Sequence, residues 1–318
     1  MTDAADRETA SRAPCGDRPM VSVIIASYDR PHDLERCLRS LAGQTYPDYE
    51  IVVVDDASPQ REAYESLARG YGARLVRHEV NRGQAAGRNR GVRESRGDLI
   101  IFLDDDCEAE SATWMTRHVA RHAEHPRLVL QGRNRFQTAT LASRAWAVVN
   151  EPGTPHVDHL ETVNLSLTRR AFDAIGGFDE SHRELEDVDF SFRARRAGWR
   201  LVYDEDLAVT HYCRTTLRGV VRRAHEYGLR TVPVRKGRRL PFHWLLPPSF
   251  LAGLVMLVPL AFARAAIAVI SNVGRFPDAP VYFPLILLFC LSHTAGMVRY
   301  YRRPDMPGAG RGGRPAPG

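Results

Sequence analysis

The stretch Leu99 to Cys107, LIIFLDDDC, sets five apolar residues directly before three consecutive aspartates. A short, wholly apolar run of this kind predicts a strand buried on both faces, and the carboxylates after it bring polar chemistry to a sheet edge. The same construction occurs upstream. Met20 to Ser27 (MVSVIIAS) and Tyr49 to Val54 (YEIVVV) are apolar runs, the second followed by Asp55-Asp56, and Ala73 to Arg77 (ARLVR) is a shorter one. Between them lie helical patterns. Leu34, Leu38 and Leu41 recur between Pro31 and Gly43, and the stretches Arg61 to Ala68 and Gln84 to Ser95 suit helices. Strand alternating with helix, with ligand-type residues after the strand C-termini, predicts an α/β domain with an open parallel sheet and helices on both faces. Gln131 to His159 shows no clear period and reads as loops with short strands.

On an extended chain Asp104 and Asp106 point to one side, an arrangement suited to Mg²⁺ or Mn²⁺. Taken alone, the triplet reads equally well as a solvated acidic turn. Asp55 and Asp56 fall on the same sheet edge, with capping of the turn into Ser58-Pro59 as their plain alternative. Gly83 permits a tight loop, and Arg88 on the next helix is placed to reach a phosphate or base from that edge. Arg90 and Arg93 read as a solvated helix face.

The 318 residues carry 44 Lys and Arg against 38 Asp and Glu, a formal charge of +6. Carboxylates crowd mid-chain, in Asp104 to Asp106 and Glu184 to Asp189, and Arg dominates after Arg214. The basic excess sits beside apolar segments and is not interleaved with aromatic residues on the body, which argues against a nucleic-acid partner. Five scattered cysteines without a Cys-x-x-Cys pair fit a reducing compartment. Residues 1–18 are polar, lack the apolar core of a signal peptide and read as a disordered tail, which places the catalytic body in the cytoplasm.

Two apolar segments, Trp244 to Ile270 and Val281 to Val298, approach or exceed the roughly 20 residues that span a bilayer. Arg235, Lys236, Arg238 and Arg239 precede the first; Arg299, Arg302 and Arg303 follow the second. The positive-inside rule then puts both ends in the cytoplasm and the short link outside. Arg264 and Pro247, Pro248 and Pro259 interrupt the first segment, and a hairpin lying in the membrane surface is the alternative. The expected division is a tail (1–18), a main α/β domain (19–215), a basic juxtamembrane segment (216–243), a two-helix membrane hairpin (244–300) and a Gly/Pro tail (301–318). Arg214, Arg218, Arg222 and Arg223, near helical spacing, suit lipid headgroups or a lipid-borne pyrophosphate, with a solvated basic helix of equal standing.

VSVIIASYDRP, QTYPDYEIVVVDDAS, NRGQAAGRNRGV, GDLIIFLDDDC, NLSLTRRAFDAIGGFDE and LEDVDFSFRARRAGWRLVYDEDLAVTH together resemble the family 2 glycosyltransferases, in that family's order and spacing. The resemblance covers about residues 19 to 215. It implies the GT-A fold of nucleotide-diphospho-sugar transferases, a Rossmann-like mixed sheet with helices on both faces, here followed by membrane-associated helices. It implies a nucleotide-sugar donor, a divalent cation and a glycan or lipid-linked acceptor. Ala26, Ser27 and Tyr28 would line the base and ribose pocket, with Asp56 bonding the base, Arg88 near it and Asp105 beside the donor. Asp104 would face ribose or metal, Asp106 would be the main metal carboxylate, and His211 would complete the metal site. Asp187 matches the catalytic base, with Glu186 as the neighbouring alternative. Gly176-Gly177-Phe178 would form the loop under the donor sugar. The Gln-x-x-Arg-Trp element of processive synthases is absent after His211, which favours single-sugar addition. A nucleotidyltransferase fits poorly, because ASYDRPHDL lacks a Gly-rich phosphate loop. The rival from another class is a catalytically idle nucleotide-binding membrane scaffold.

Overall fold

The structure, a computed structural model, describes residues 18–150, 159–182, 185–212, 216–237 and 246–302. The four apolar runs form β1 (Val21–Ser27), β2 (Tyr49–Asp55), β3 (Arg74–Arg77) and β4 (Leu99–Leu103). They pair in parallel in the order β3-β2-β1-β4, so Ser27, Asp55 and Leu103 end on one edge. Helices α1 (Pro31–Ala42), α2 (Arg61–Gly70) and α3 (Gln84–Glu94) connect them. α3 lies unusually close to β1 because of two glycines. A Cβ on Gly87 would stand 3.0 Å from the Ala26 Cβ, and one on Gly91 only 2.3 Å from Ile24 Cγ2. That approach is what brings Arg88, buried on the same helix, down to the sheet edge.

Beyond β4 the chain runs through β5 (Cys107–Ala109), α4 (Trp114–Glu124), β6 (Leu128–Phe136) and α5 (Leu141–Asn150). It continues through β7 (Asn164–Thr168), α6 (Arg169–Ile175), α7 (Glu186–Arg196) and β8 (Arg200–His211). β7 pairs antiparallel with β4, and the full order is β3-β2-β1-β4-β7-β6-β8-β5. The sheet is therefore mixed, where strand–helix alternation alone predicted a parallel one. The region from Gln131, read as loops with short strands, contains most of a nine-residue strand and an unexpected ten-residue helix. Its period is hidden because β6 buries Gln131 and Asn134 beside its apolar residues.

The acidic triplet has a structural duty. β4 and β5 stand four places apart in the sheet, about 19 Å if it were flat. Only Asp104 to Asp106 join them, and the four Cα steps from Leu103 to Cys107 reach about 14 Å at full stretch. The sheet must curl, and this turn closes the curl. Because the strand stops at Leu103, the alternation expected to set Asp104 beside Asp106 does not apply.

At the C-terminal end stand α8 (Leu217–Gly237), α9 (Phe250–Asn272), a single 3-10 turn (Ala279–Tyr282) and α10 (Phe283–Tyr300). α9 and the turn with α10 are each long and apolar enough to cross a membrane. They share a hydrophobic core with the body: Ala142, Ala145 and Val148 of α5 meet Ala261, Ala265 and Phe289. The link between the two helices, expected on the far side of a bilayer, instead touches the body. Arg144 of α5 donates to both carboxylate oxygens of Asp278, at 3.2 and 2.9 Å, and Arg275 lies 3.9 Å from Glu205 of β8. The tails expected over 1–18 and 301–318 lie outside the described residues, except Arg18, Tyr301 and Arg302. Arg214, Arg238, Arg239, Trp244 and Arg303 also lie outside them.

Candidate active site

The crevice forms where the strand order reverses, between the ends of β1 and β4, the usual ligand position in such sheets. Three residues around it hold positive φ without being glycine: Asp29 after β1 (56°), Ala57 after β2 (68°) and Leu185 before α7 (64°). Backbone held in this region is unfavourable for L-residues and clusters where surrounding structure over-determines it.

Each aspartate of the triplet has a different partner. Asp104 accepts from Arg88 Nη2 at 2.7 Å. Asp105 accepts from the Ser27 hydroxyl at 2.6 Å, and burial together with the adjacent Asp106 charge pushes its carboxyl up to about 8. Asp106 accepts from Arg30 Nη1 at 2.6 Å and lies 3.2 Å from His211 Nε2. Burial opposes its charge, but His211 and Arg30 hold it below the usual carboxylate range. Burial likewise opposes the His211 imidazolium, and the Asp106 carboxylate raises its pKa. His211 arrives here because β8 pairs with β5, setting it opposite Cys107.

Asp106, Cys107 and His211 offer ligand atoms within 4.8 Å of one another. Burial keeps the Cys107 thiol neutral, a poor ligand, which leaves a carboxylate and an imidazole. His211 Nδ1 is buried and makes no hydrogen bond. An oxygen and a nitrogen donor facing an open crevice fit Mn²⁺ or Mg²⁺. Asp104, expected as a further ligand, is turned to Arg88 and stands outside this cluster. A second ligand-type group, Asp179, His182 and Asp189, already has a cation in Arg193, 2.8 Å from Asp189.

Arg88 is buried and spans two carboxylates, with Nη1 2.6 Å from Glu186 Oε1. Glu186 is thereby occupied, and its neighbour Asp187, half-buried in the first turn of α7, lies within electrostatic reach of Asp104 and Glu161. Asp187 Oδ1 accepts the Val188 N–H at 2.7 Å. Burial pushes its carboxyl up to about 6. Asp189 instead pairs with Arg193 within the helix, at 2.8 Å.

Of the positions expected to face the donor, Ala26 and Ser27 end β1 at the crevice floor, and Tyr28 is exposed at its rim. Asp56 is engaged internally: His78 Nδ1 and the Arg82 N–H meet Oδ1 at 2.8 Å, and the Gly83 N–H meets Oδ2 at 2.7 Å. It fixes the loop before α3. Asp55 is a cap, accepting the Ser58 N–H at 2.8 Å and pairing with Arg77. Gly176 and Gly177 both take positive φ (87° and 65°). Asn89 clamps the following Phe178 through its N–H at 2.9 Å and its carbonyl at 2.8 Å.

Two residues were not anticipated. Arg30 holds the Asp106 carboxylate, and nothing in ASYDRP marks it as more than a turn residue. Glu161 accepts from Asn134 at 2.9 Å, with its carboxyl pushed up to about 7 by burial and by the nearby Asp187 charge. Its one sequence signal is a carboxylate just ahead of the apolar NLSL run.

The profile of glycosyl transferase family 2 matches residues 22–186. An uncharacterized glycosyltransferase of Haemophilus influenzae is 29% identical over 188 residues, covering 54% of this chain and 60% of its own length. Glycosyltransferase AglE of Haloferax volcanii is 28% identical over 209 residues, 62% of this chain and 68% of AglE. The fold is shared with the mannosyltransferase PcManGT of Pyrobaculum calidifontis, solved with GDP-Man and Mn²⁺, at a TM-score of 0.63 and 18% identity. The match covers 91% of this chain and 88% of that one. GalNAc-T7, solved with UDP, GalNAc and Mn²⁺, matches at a TM-score of 0.51 and 18% identity over 62% of this chain and 43% of that one.

Proposed function

Since the chain belongs to glycosyl transferase family 2, we propose that it moves one sugar from a nucleoside-diphosphate sugar to a hydroxyl of a lipid-linked or cell-envelope glycan, with inversion at the anomeric carbon. The observation that carries this reading is the division of labour at the crevice. The Asp106–His211 pair is one unit, and Asp187, poised at about 6, is a second, with its neighbour Glu186 held by Arg88.

In the reaction the acceptor oxygen forms its bond to the anomeric carbon as the bond from that carbon to the diphosphate oxygen breaks. Asp187 takes the hydroxyl proton, and the nucleoside diphosphate leaves from the opposite face. A base placed within hydrogen-bond reach contributes about 10²–10⁴-fold. Asp106 and His211 would hold the divalent cation, which when bound offsets the charge on the departing diphosphate. Ala26, Ser27 and Tyr28 line the donor's nucleoside, with Asp105 behind Ser27. Asp56 acts by shaping the His78–Gly83 loop, and Arg88 by aiming Asp104 and Glu186. The Gly176–Phe178 loop supports the donor sugar.

The acceptor reading draws on Phe136. Its ring lies 5.0 Å from that of His211 and also packs against the core shared with α9 and α10, so the site adjoins the apolar helices. We place those helices at a membrane and the body on the cytoplasmic side, in keeping with five scattered cysteines and no Cys-x-x-Cys pair.

The test is donor binding and hydrolysis by detergent-solubilised protein across a panel of nucleotide sugars, with and without Mn²⁺. Asp106→Ala should lose metal-dependent binding, and Asp187→Asn should keep binding and lose turnover. Binding of nucleotide without turnover of any donor, in the presence of acceptor membranes, would favour the idle scaffold instead.

A further inference from the structure

The Asp278 carboxylate sits in the link between α9 and α10, and it is gripped by Arg144 of the catalytic body. In the same link Arg275 reaches Glu205 of β8, and the Arg275 neighbour Phe276 lies under the Arg144 guanidinium, 4.7 Å from ring centre to carbon. A link on the far side of a hydrocarbon core about 30 Å thick has no such partners. Link and body therefore share a side.

For α9 and α10 still to cross, the chain would have to reach the far side before α9 begins. Within the described residues only α8 runs toward that point. It carries Arg218, Arg222, Arg223, Glu226, Arg230, Arg235 and Lys236 in 21 residues, too many charges for a lipid-spanning helix. α8 also packs along α10. A Cβ on Gly228 would stand 1.8 Å from the His293 carbonyl oxygen, and one on Gly296 2.1 Å from that of His225. The polar helix and the apolar one are one unit at one depth.

α9 itself is two-sided in burial. Gly253, Ala261, Ala265 and Asn272 face the protein. Leu251, Val255, Val258, Phe262 and Ile270 form a stripe down the other side, with exposures of 72%, 78%, 61%, 53% and 73%. The stripe runs the length of a helix of about 34 Å. Basic residues border it: Arg299 is exposed at the end of α10, and the Arg302 guanidinium lies 4.3 Å over the Phe250 ring. An apolar stripe edged with arginines matches the boundary between acyl chains and anionic headgroups.

We propose that the hairpin lies in one leaflet without crossing the bilayer, with lipid covering the α9 stripe and with body, link and α10 end all on the same side. The inference rests on the membrane reading given under Proposed function. It replaces the spanning hairpin and brings the crevice beside His211 to the membrane surface, where a lipid-linked acceptor presents its head.

The experiment uses the full chain carrying Cys15→Ser and Cys213→Ser; the remaining Cys37, Cys107 and Cys290 are buried. Single reporters are added as Gly70→Cys in the body, Gly274→Cys in the link and Arg299→Cys at the α10 end. At Gly70 and Gly274 an added side chain meets nothing within 4 Å. Ser271→Cys is a second reporter near the link if Gly274→Cys fails to accumulate. Sealed vesicles of both orientations are treated with a membrane-impermeant maleimide. The expected result is that all three sites label from the same face in each orientation. Labelling of the link, or of Arg299→Cys, from the face opposite Gly70→Cys overturns the proposal. Flotation with phosphatidylglycerol–phosphatidylcholine vesicles separates the two readings. A chain that stays soluble, for instance as a dimer with its α9 faces joined, defeats the membrane reading itself.

Discussion

Glu186 Oε1 lies 2.6 Å from the Nη1 of Arg88, a residue 98 positions earlier, and both side chains are buried. This pair joins α3, from the parallel half of the sheet, to α7, from the mixed half. The other arm of the guanidinium reaches Asp104 at the end of β4. One cation thus sets the spacing between the end of β4 and the first turn of α7.

Removing that cation strands the buried Glu186 carboxylate and the half-buried Asp104, and loss of a buried partner costs about 3–5 kcal/mol in comparable cases. Arg88→Ala should therefore lower the denaturation midpoint strongly. Arg88→Lys should recover only part of it, because a single ammonium cannot reproduce a fork aimed at two acceptors. Chemical denaturation of the three proteins checks both.

Burial raises Asp187 to about 6. A base must be deprotonated to act, so turnover should fall about tenfold per pH unit once pH drops well below 6 and should level off above about 7. The low-pH limb should vanish in Asp187→Asn along with most of the activity, a loss of about 10²–10⁴-fold. A pH–rate profile at saturating donor reads this directly.

Arg30 occupies the same carboxylate that would bind a cation, with Nη1 2.6 Å from Asp106 Oδ2. Metal must compete with it. Arg30→Met should tighten Mn²⁺ binding to the donor-free protein several-fold, measured by calorimetry or by loss of the free Mn²⁺ resonance signal. His211→Ala should weaken it. No change in either variant would move the metal away from Asp106.

Gly91 stands where a Cβ would meet Ile24 Cγ2 at 2.3 Å. Gly91→Ala should cost about 1–3 kcal/mol by overpacking, despite alanine's better helix propensity. Because the strain pushes α3 away from β1, donor affinity should fall with stability. Gly70→Ala, where the added methyl meets nothing, is the matched control.

The parallel half of the fold was legible because β1, β2 and β4 are buried on both faces, which leaves an unbroken apolar run in the sequence. β6 hid itself by burying Gln131 and Asn134. The Gln131 side chain serves the backbone of another segment, its Oε1 accepting the Glu161 N–H at 2.7 Å. The carboxylates were found as residues but not as partners. Asp104 and Asp106 were expected to act together by strand alternation, and a turn at Leu103 sends them to Arg88 and to His211 with Arg30. Which partner each takes depends on the curl of the sheet, and that is a property of chain length between β4 and β5, not of residue type. Arg30 and Glu161 escaped for the same reason.

The three-residue turn Asp104 to Asp106 carries the proposed metal carboxylate and is a tether as well. An extra residue here would let the β5–β8 edge drift from β4. Directed changes of donor preference should therefore leave this turn at its present length and work through the surrounding loops. A chain cut within it would lose its closed shape together with its chemistry.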